Sequence, residues 1–365
     1  MKFILAAGGT GGHVYPAIAI AQELKKEYPD SDILFLGRED SIEGRIVPAA
    51  GFDLANIDVS GFERFYSFKR KIKVGVNLLK SFGECRRIFK DYNPDMVIGA
   101  GGYVCGPVLM TAYLKHIPSV VCEQNVIPGF TTKTLSGFSN NVCVSFEESI
   151  PLMKKPERCV WTGNPVRDEF ATLDKESARK SVGIPMDKKV IFIFGGSLGA
   201  RKINVASIGL IRRFNNDDNI EIYLITGKDM FDQIKDSIDF NLGNNVHVLD
   251  YCDNMPEMLN ASDLVISRSG ASTIAEINYV GLPAVYVPFP HAVNDHQTKN
   301  AKVCVDNNAA LMVTDDNMNE DVLFDIVNKL IFDDEVLASM KKNSLDMGKR
   351  DAAVEVCRVV SNLLK

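Results

Sequence analysis

The sequence predicts an α/β chain built from two doubly wound parallel-sheet domains, and three observations predict it. Short apolar runs recur along the chain, each followed by turn residues and a longer amphipathic stretch, which is the strand-helix alternation of parallel sheets. The runs fall in two series that open alike: "FILAAGGTGG" from Phe3 and "IFIFGGSLGA" from Ile191 each carry a buried-type strand into a glycine-rich turn and a helical pattern. With 365 residues, 46% hydrophobic and 24% charged, the chain is long enough for about two cores.

The first series predicts strands at 3–7, 33–36, 96–98, 119–122, 142–144 and 160–162, and the second at 190–194, 221–225, 246–249, 264–267, 284–287 and 310–313. Gly163, Asn164 and Pro165 interrupt the periodicity in "TGNPVRDEF", which places domains at 1–164 and 165–343. Residues 344–365 read as a terminal helix able to pack back on the first domain. A formal net charge of −6 and a pI near 5.5 argue against a dedicated nucleic-acid binder. Eight cysteines without a C-x-x-C pair suggest core residues in a reducing cytoplasm rather than a zinc site or disulfide framework. The first apolar segment is too short for a signal peptide and no run reaches spanning length, so a soluble or peripheral protein is expected.

A glycine-rich turn between strand and helix lets the backbone approach an anion while the helix N-terminus faces it. The first turn, residues 8–13, lacks the G-x-G-x-x-G spacing because position 14 is valine, and it lacks a P-loop lysine. Glu39 and Asp40 follow the second strand, where a dehydrogenase would bind ribose, so a dinucleotide reading is weak but stays open. Tight strand-to-helix packing is the lesser alternative for either glycine turn. His13 closes the first turn; it is either a helix-start histidine or a general base, which the helix N-terminus would keep neutral. Farther on, Ser267, Arg268, Ser269 and Gly270 end a strand, Ser272, Thr273 and Glu276 follow on a helix, and Asn294, Asp295, His296, Gln297 and Asn300 crowd the next loop. Such groups suit sugar hydroxyls, although a carboxylate one turn into a helix is also an ordinary capping or helix-dipole partner.

In these residues the sequence resembles the MurG family of peptidoglycan glycosyltransferases. "GGTGGHVYPAIAIA", "GAGGYVCGP", "EQNVIPG", "GNPVR", "GGSLGAR", "SRSGASTIAEI", "GLPAVYVPFP" and "HQTKNA" occur in the family's order over nearly the whole chain. The resemblance implies a GT-B architecture, two Rossmann-like domains facing across a cleft. It also implies inverting transfer of N-acetylglucosamine from UDP-N-acetylglucosamine to the undecaprenyl-diphosphate-linked muramyl pentapeptide, making lipid II from lipid I, with no cofactor or essential metal ion. It makes His13 the catalytic base and puts Thr10, Gly11, Gly12 and Tyr103 at the acceptor diphosphate. It assigns Asn125, Arg167, Ser197, Cys252, Ala271, Ser272, Thr273, Ile274, Ala275, Glu276, His296 and Gln297 to the donor. Cys252 stands where the family usually carries a larger apolar residue whose backbone reads uracil, and His296–Gln297 replaces a pair that is Gln-Gln in some members. The only D-x-D, at 30–32, precedes the second strand and reads as loop solvation.

Residues 62–90 carry nine Lys or Arg against two Glu in an otherwise acidic chain. Phe65, Phe68, Leu78, Leu79 and Phe82 interleave with Lys69, Arg70, Lys71 and Lys73, a pattern fit to dip into an anionic membrane interface at roughly 1 kcal/mol per well-placed charge. A core helix with a solvated basic face is the bland alternative. The expected site of action is the cytoplasmic face of the cell membrane, with no nucleic-acid partner. Two rival functions keep part of the pattern: a GT-B transferase acting on another lipid such as diacylglycerol, and a non-catalytic sugar-nucleotide-binding protein.

Overall fold

The computed structural model describes residues 1–59, 68–196 and 198–365, with residues 68–76 described by their backbone alone. It divides into two compact units, Met1–Arg167 with Lys349–Lys365, and Asp168–Gly348.

The first unit contains β1 (Lys2–Ala6), α1 (Gly11–Glu27), β2 (Asp32–Gly37), α2 (Ile42–Ala49), β3 (Asp53–Asn56), α3 (Phe68–Tyr92), β4 (Met96–Gly99), α4 (Cys105–Leu114), β5 (Ser119–Glu123), α5 (Phe130–Leu135), β6 (Asn141–Val144) and β7 (Cys159–Trp161). Its strands form one parallel sheet in the order β3-β2-β1-β4-β5-β6-β7. Alternate residues of β1 serve opposite faces, as a sheet covered on both sides requires. Phe3 and Leu5 join the core under α1 and α2, while Ile4 and Ala6 join the core under α3 and α4.

The second unit contains α6 (Lys175–Val182), β8 (Lys189–Phe194), α7 (Arg201–Phe214), β9 (Ile220–Ile225), α8 (Phe231–Asp236), β10 (Val246–Leu249), α9 (Met255–Ala261), β11 (Leu264–Ser267), α10 (Ala271–Val280), β12 (Ala284–Tyr286), α11 (His296–Asp306), β13 (Ala310–Met312), α12 (Glu320–Ile331) and α13 (Asp334–Met347). Its sheet runs β10-β9-β8-β11-β12-β13, the doubly wound order whose strand sequence reverses at β8 and β11. The equivalent reversal in the first unit lies at β1 and β4.

All twelve expected strands are present. Among the described residues a thirteenth strand, β3, has no apolar run to announce it: "DLAN" sits at a sheet edge beside β2, half exposed. The expected single helix over 344–365 is corrected. Ser344 is buried at the end of α13, with its hydroxyl on Asn278 Oδ1 at 3.0 Å, and the chain breaks at Gly348, where a Cβ would stand 2.5 Å from the Asn278 carbonyl oxygen. A new helix, α14 (Ala352–Leu364), then packs on α1 through Val356, Cys357 and Val360. Seven of the eight cysteines are buried and none is in a disulfide, so they fill space as expected.

Arg179 anchors the start of the second sheet. Its side chain is fully buried, and it donates to the carbonyls of Ala261, Pro185, Met186 and Lys188 and to Asp263 Oδ2, all at 2.8–3.0 Å. Arg179→Ala leaves those buried acceptors without their donor and is expected to destabilise the second unit by about 3–5 kcal/mol in urea unfolding. A loss under about 1 kcal/mol would show that Lys175, 2.5 Å from Asp263 Oδ1, carries the contact alone.

Candidate active site

In the first unit, two turns meet at the carboxyl ends of β1 and β4. Gly101 and Gly102 follow β4 at φ +104° and +85°, where side-chain-bearing residues are strained. A Cβ on Gly102 would stand 2.2 Å from the Gly8 carbonyl oxygen, and one on Gly101 would stand 2.5 Å from His13 Cδ2. Only glycines let the turns press together, so contact between the turns by itself requires glycine at 101 and 102.

Thr10 caps α1 with its backbone, its carbonyl accepting the N–H groups of His13 and Val14; Gly11 and Gly12 form the helix start. His13 Nδ1 lies 3.0 Å from the Gly8 carbonyl, with the Thr10 hydroxyl at 3.4 Å. A carbonyl can only accept, so Nδ1 carries the proton of the neutral ring and Nε2 carries the lone pair. That is the tautomer a base needs. Tyr103 lies over the same turn, its ring edge 3.2 Å from where a Cβ on Gly9 would be. Arg167 places its guanidinium 4.4 Å from the centre of the Tyr15 ring on α1, which brings the "GNPVR" arginine to the first glycine turn.

Asn125 follows β5, held by a neighbour the motif contains but sequence reasoning passed over. Glu123 Oε1 accepts the Asn125 backbone and side-chain N–H groups at 3.0 and 3.3 Å, and Oε2 accepts from Gly129 at 3.0 Å. Burial pushes the Glu123 carboxyl above its ordinary pKa, while those donors and the Thr132 hydroxyl pull it back. Its place at the head of "EQN" was the available signal.

In the second unit, α10 begins at the carboxyl end of β11. Ala271 and Ile274 turn into the core, so only their backbone can meet a ligand; Ser272, Thr273, Ala275 and Glu276 are half exposed on the other faces. Asn294 and Asp295 both sit in the left-handed region, at φ 55° and 54°, a strained pair of the kind found beside functional sites. They launch α11, where His296 Nδ1 donates to the Val293 carbonyl at 2.8 Å. Gln297 Oε1 accepts the Phe289 N–H at 2.9 Å and its carbonyl accepts the Ser269 hydroxyl at 2.9 Å, ties that hold loop and strand end together. Cys252, after β10, is buried, its thiol pushed up to about 11 by burial and donating to Asn254. Ser197 lies outside the described residues.

On α3 the stripe Ser81, Cys85 and Phe89 is buried, whereas Leu79 is 73% exposed, Leu78 is 41% exposed and Phe82 is half buried. The apolar residues therefore exceed one core stripe. Exposed Tyr113 and Leu114 end α4, which packs on α3. Phe65 lies outside the described residues, as do the side chains of Phe68, Lys69, Arg70, Lys71 and Lys73. Among the described residues no helix is long and apolar enough to cross a membrane, and no cluster of three His, Cys, Asp or Glu is placed to hold a metal ion.

Residues 3–144 match the glycosyltransferase family 28 N-terminal domain and residues 190–356 the family 28 C-terminal domain. The glycine turns at the two sheet reversals are thus those of a GT-B-type glycosyltransferase. The chain is 38% identical to UDP-N-acetylglucosamine–N-acetylmuramyl-(pentapeptide) pyrophosphoryl-undecaprenol N-acetylglucosamine transferase of Acetivibrio thermocellus, covering 100% of this chain and 99% of the relative. It is 38% identical to the enzyme of that name in Listeria monocytogenes over 100% of both. Crystalline MurG of Acinetobacter baumannii superposes with a TM-score of 0.76 at 27% identity over 99% of each chain. The UDP-GlcNAc 2-epimerase of Neisseria meningitidis, at 15% identity and TM-score 0.71 over 99% of this chain and 100% of its own, shares the fold alone. The chain belongs to the MurG family.

Proposed function

We propose that this chain transfers N-acetylglucosamine from UDP-N-acetylglucosamine to the C4 hydroxyl of undecaprenyl-diphosphate-linked N-acetylmuramyl-pentapeptide, converting lipid I to lipid II in peptidoglycan synthesis. The observation that carries the reading is His13, held at the glycine turn with Nδ1–H on Gly8 and Nε2 as its lone-pair nitrogen. In the step proposed, Nε2 takes the acceptor hydroxyl proton as that oxygen bonds to the anomeric carbon from the face opposite UDP. The carbon-oxygen bond to UDP breaks, its electron pair leaves on the diphosphate, and the configuration inverts. Thr10, Gly11, Gly12 and Tyr103 receive the acceptor diphosphate in this reading. Asn125, Arg167, Ser197, the Cys252 backbone, residues 271–276, His296 and Gln297 receive the donor, with Glu276 on the ribose hydroxyls. Backbone donors aimed at growing diphosphate charge lower the barrier; in well-studied oxyanion sites each is worth about 2.7–4 kcal/mol.

Transfer of labelled N-acetylglucosamine from UDP-N-acetylglucosamine to a short-chain lipid I analogue tests the assignment. Turnover there, and none with diacylglycerol, is the expected result; a folded protein that binds donor yet glycosylates only diacylglycerol would overturn it. Glu123→Gln puts an amide where the carboxylate accepts two sets of N–H groups. It is expected to raise the KM for UDP-N-acetylglucosamine about tenfold, the loss of one net hydrogen bond. An unchanged KM would remove Asn125 from donor binding.

The basic, apolar stretch around α3 supports peripheral attachment to the cytoplasmic face of the membrane. Reversing the charges of Lys69, Arg70, Lys71 and Lys73 together is expected to abolish sedimentation with phosphatidylglycerol vesicles and to spare transfer to the short-chain acceptor. Undiminished sedimentation would reassign the stretch to a solvated helix face.

A further inference from the structure

Glu43 is the most deeply buried carboxylate near the first glycine turn, and it lies outside the residues that receive either substrate. It sits in the first turn of α2 with no solvent exposure. Oε1 accepts the Arg38 backbone N–H at 3.2 Å, and Oε2 is buried with no hydrogen-bond partner among the described residues. Buried polar atoms are nearly always satisfied, and an unsatisfied carboxylate oxygen is costly. The fold makes room for it twice. A Cβ on Gly8 would stand 2.8 Å from Oε1, and a Cβ on Gly37 would stand 2.8 Å from Glu43 Cγ. The carboxylate is thus wedged between the ends of β1 and β2, directly against the residue whose carbonyl accepts His13 Nδ1–H.

We propose that Glu43 is a positioning residue for His13, resting on the reading of His13 as the base. Seated against Gly8, it fixes the peptide that orients the imidazole, and its negative charge supports the imidazolium formed when Nε2 takes the acceptor proton. The proton stays on the imidazole; Glu43 neither binds substrate nor receives it. Among the described residues, the other charged groups on the connections beside the pair are more exposed or already engaged. Arg38 is paired with Asp40 at 2.6 Å and reaches the Tyr103 phenol, Glu39 lies exposed on the same connection, and Arg167 covers Tyr15 on α1.

Glu43→Gln separates charge from shape, since the amide oxygen can still accept the Arg38 N–H. Expected are a fall in kcat of about tenfold, an acid limb of the kcat/KM profile moved to lower pH, and a KM for UDP-N-acetylglucosamine within about twofold of wild type. The direction follows from the sign of the charge: without a nearby anion the imidazole holds its proton less tightly, so the base stays available at lower pH. Wild-type kcat with an unmoved acid limb would overturn the inference. Should the variant lose thermal stability, the same substitution in a His13→Ala background decides. No further loss there supports action through His13, and an equal loss in both backgrounds assigns Glu43 to the fold and overturns the inference. Failure of the underlying reading is distinguishable, because wild type would then be inactive or His13→Ala fully active.

Discussion

His13→Ala is expected to lower kcat for N-acetylglucosamine transfer about a hundredfold or more, with the Kd for UDP-N-acetylglucosamine unchanged within about twofold. A positioned general base typically contributes 10²–10⁴-fold, and this imidazole has its tautomer set by the Gly8 carbonyl. Isothermal titration with the donor and single-turnover transfer to a short-chain lipid I analogue give the two quantities separately. Loss of donor affinity in step with kcat would mean that the substitution collapses the turn. Transfer that survives within a few-fold would leave the enzyme standing and take the proton transfer away from His13.

Gly102→Ala is expected to be nearly as damaging by a different route. The added methyl would have to occupy a position 2.2 Å from the Gly8 carbonyl oxygen, at a residue with φ +85°. Left-handed backbone costs about 1–2 kcal/mol for an L-residue, and overpacking against a peptide group that cannot swing aside adds about 1–3. A loss of about 2–5 kcal/mol should lower the Tm by roughly 5–15 °C, and kcat/KM should fall because the displaced carbonyl is the one holding His13. Gly106→Ala, on α4, is the control: its Cβ meets nothing within 4 Å, so Tm and activity should stay close to wild type. Equal effects of the two substitutions would show that backbone entropy, rather than contact between the turns, limits this region.

What could be read in advance follows the range of the interaction concerned. Buried parallel strands announce themselves because both faces must be apolar, which is why β1 and β8 stand out as runs and edge-lying β3 does not. Glycine turns announce themselves because backbone needing positive φ excludes most other residues. A break such as the one at Gly348 is set by a carbonyl at Asn278, 70 positions away, so no local pattern records it.

By itself the sequence determined the two strand-helix series, the glycine turns that open them, the ordered motifs that place the chain in its family, and His13 as the titratable group at the first turn. Only the tertiary structure decided which ring nitrogen of His13 carries the proton, that Ala271 and Ile274 face the core, and that Glu43 lies buried against Gly8. The reason is the same for each. Periodicity and turn chemistry act over a few residues, whereas the His13 tautomer and the burial of Glu43 depend on groups at 8, 13, 37, 43, 101 and 102 that meet only when β1, β2 and β4 pair, and the facing of Ala271 and Ile274 depends on α10 packing in the second unit.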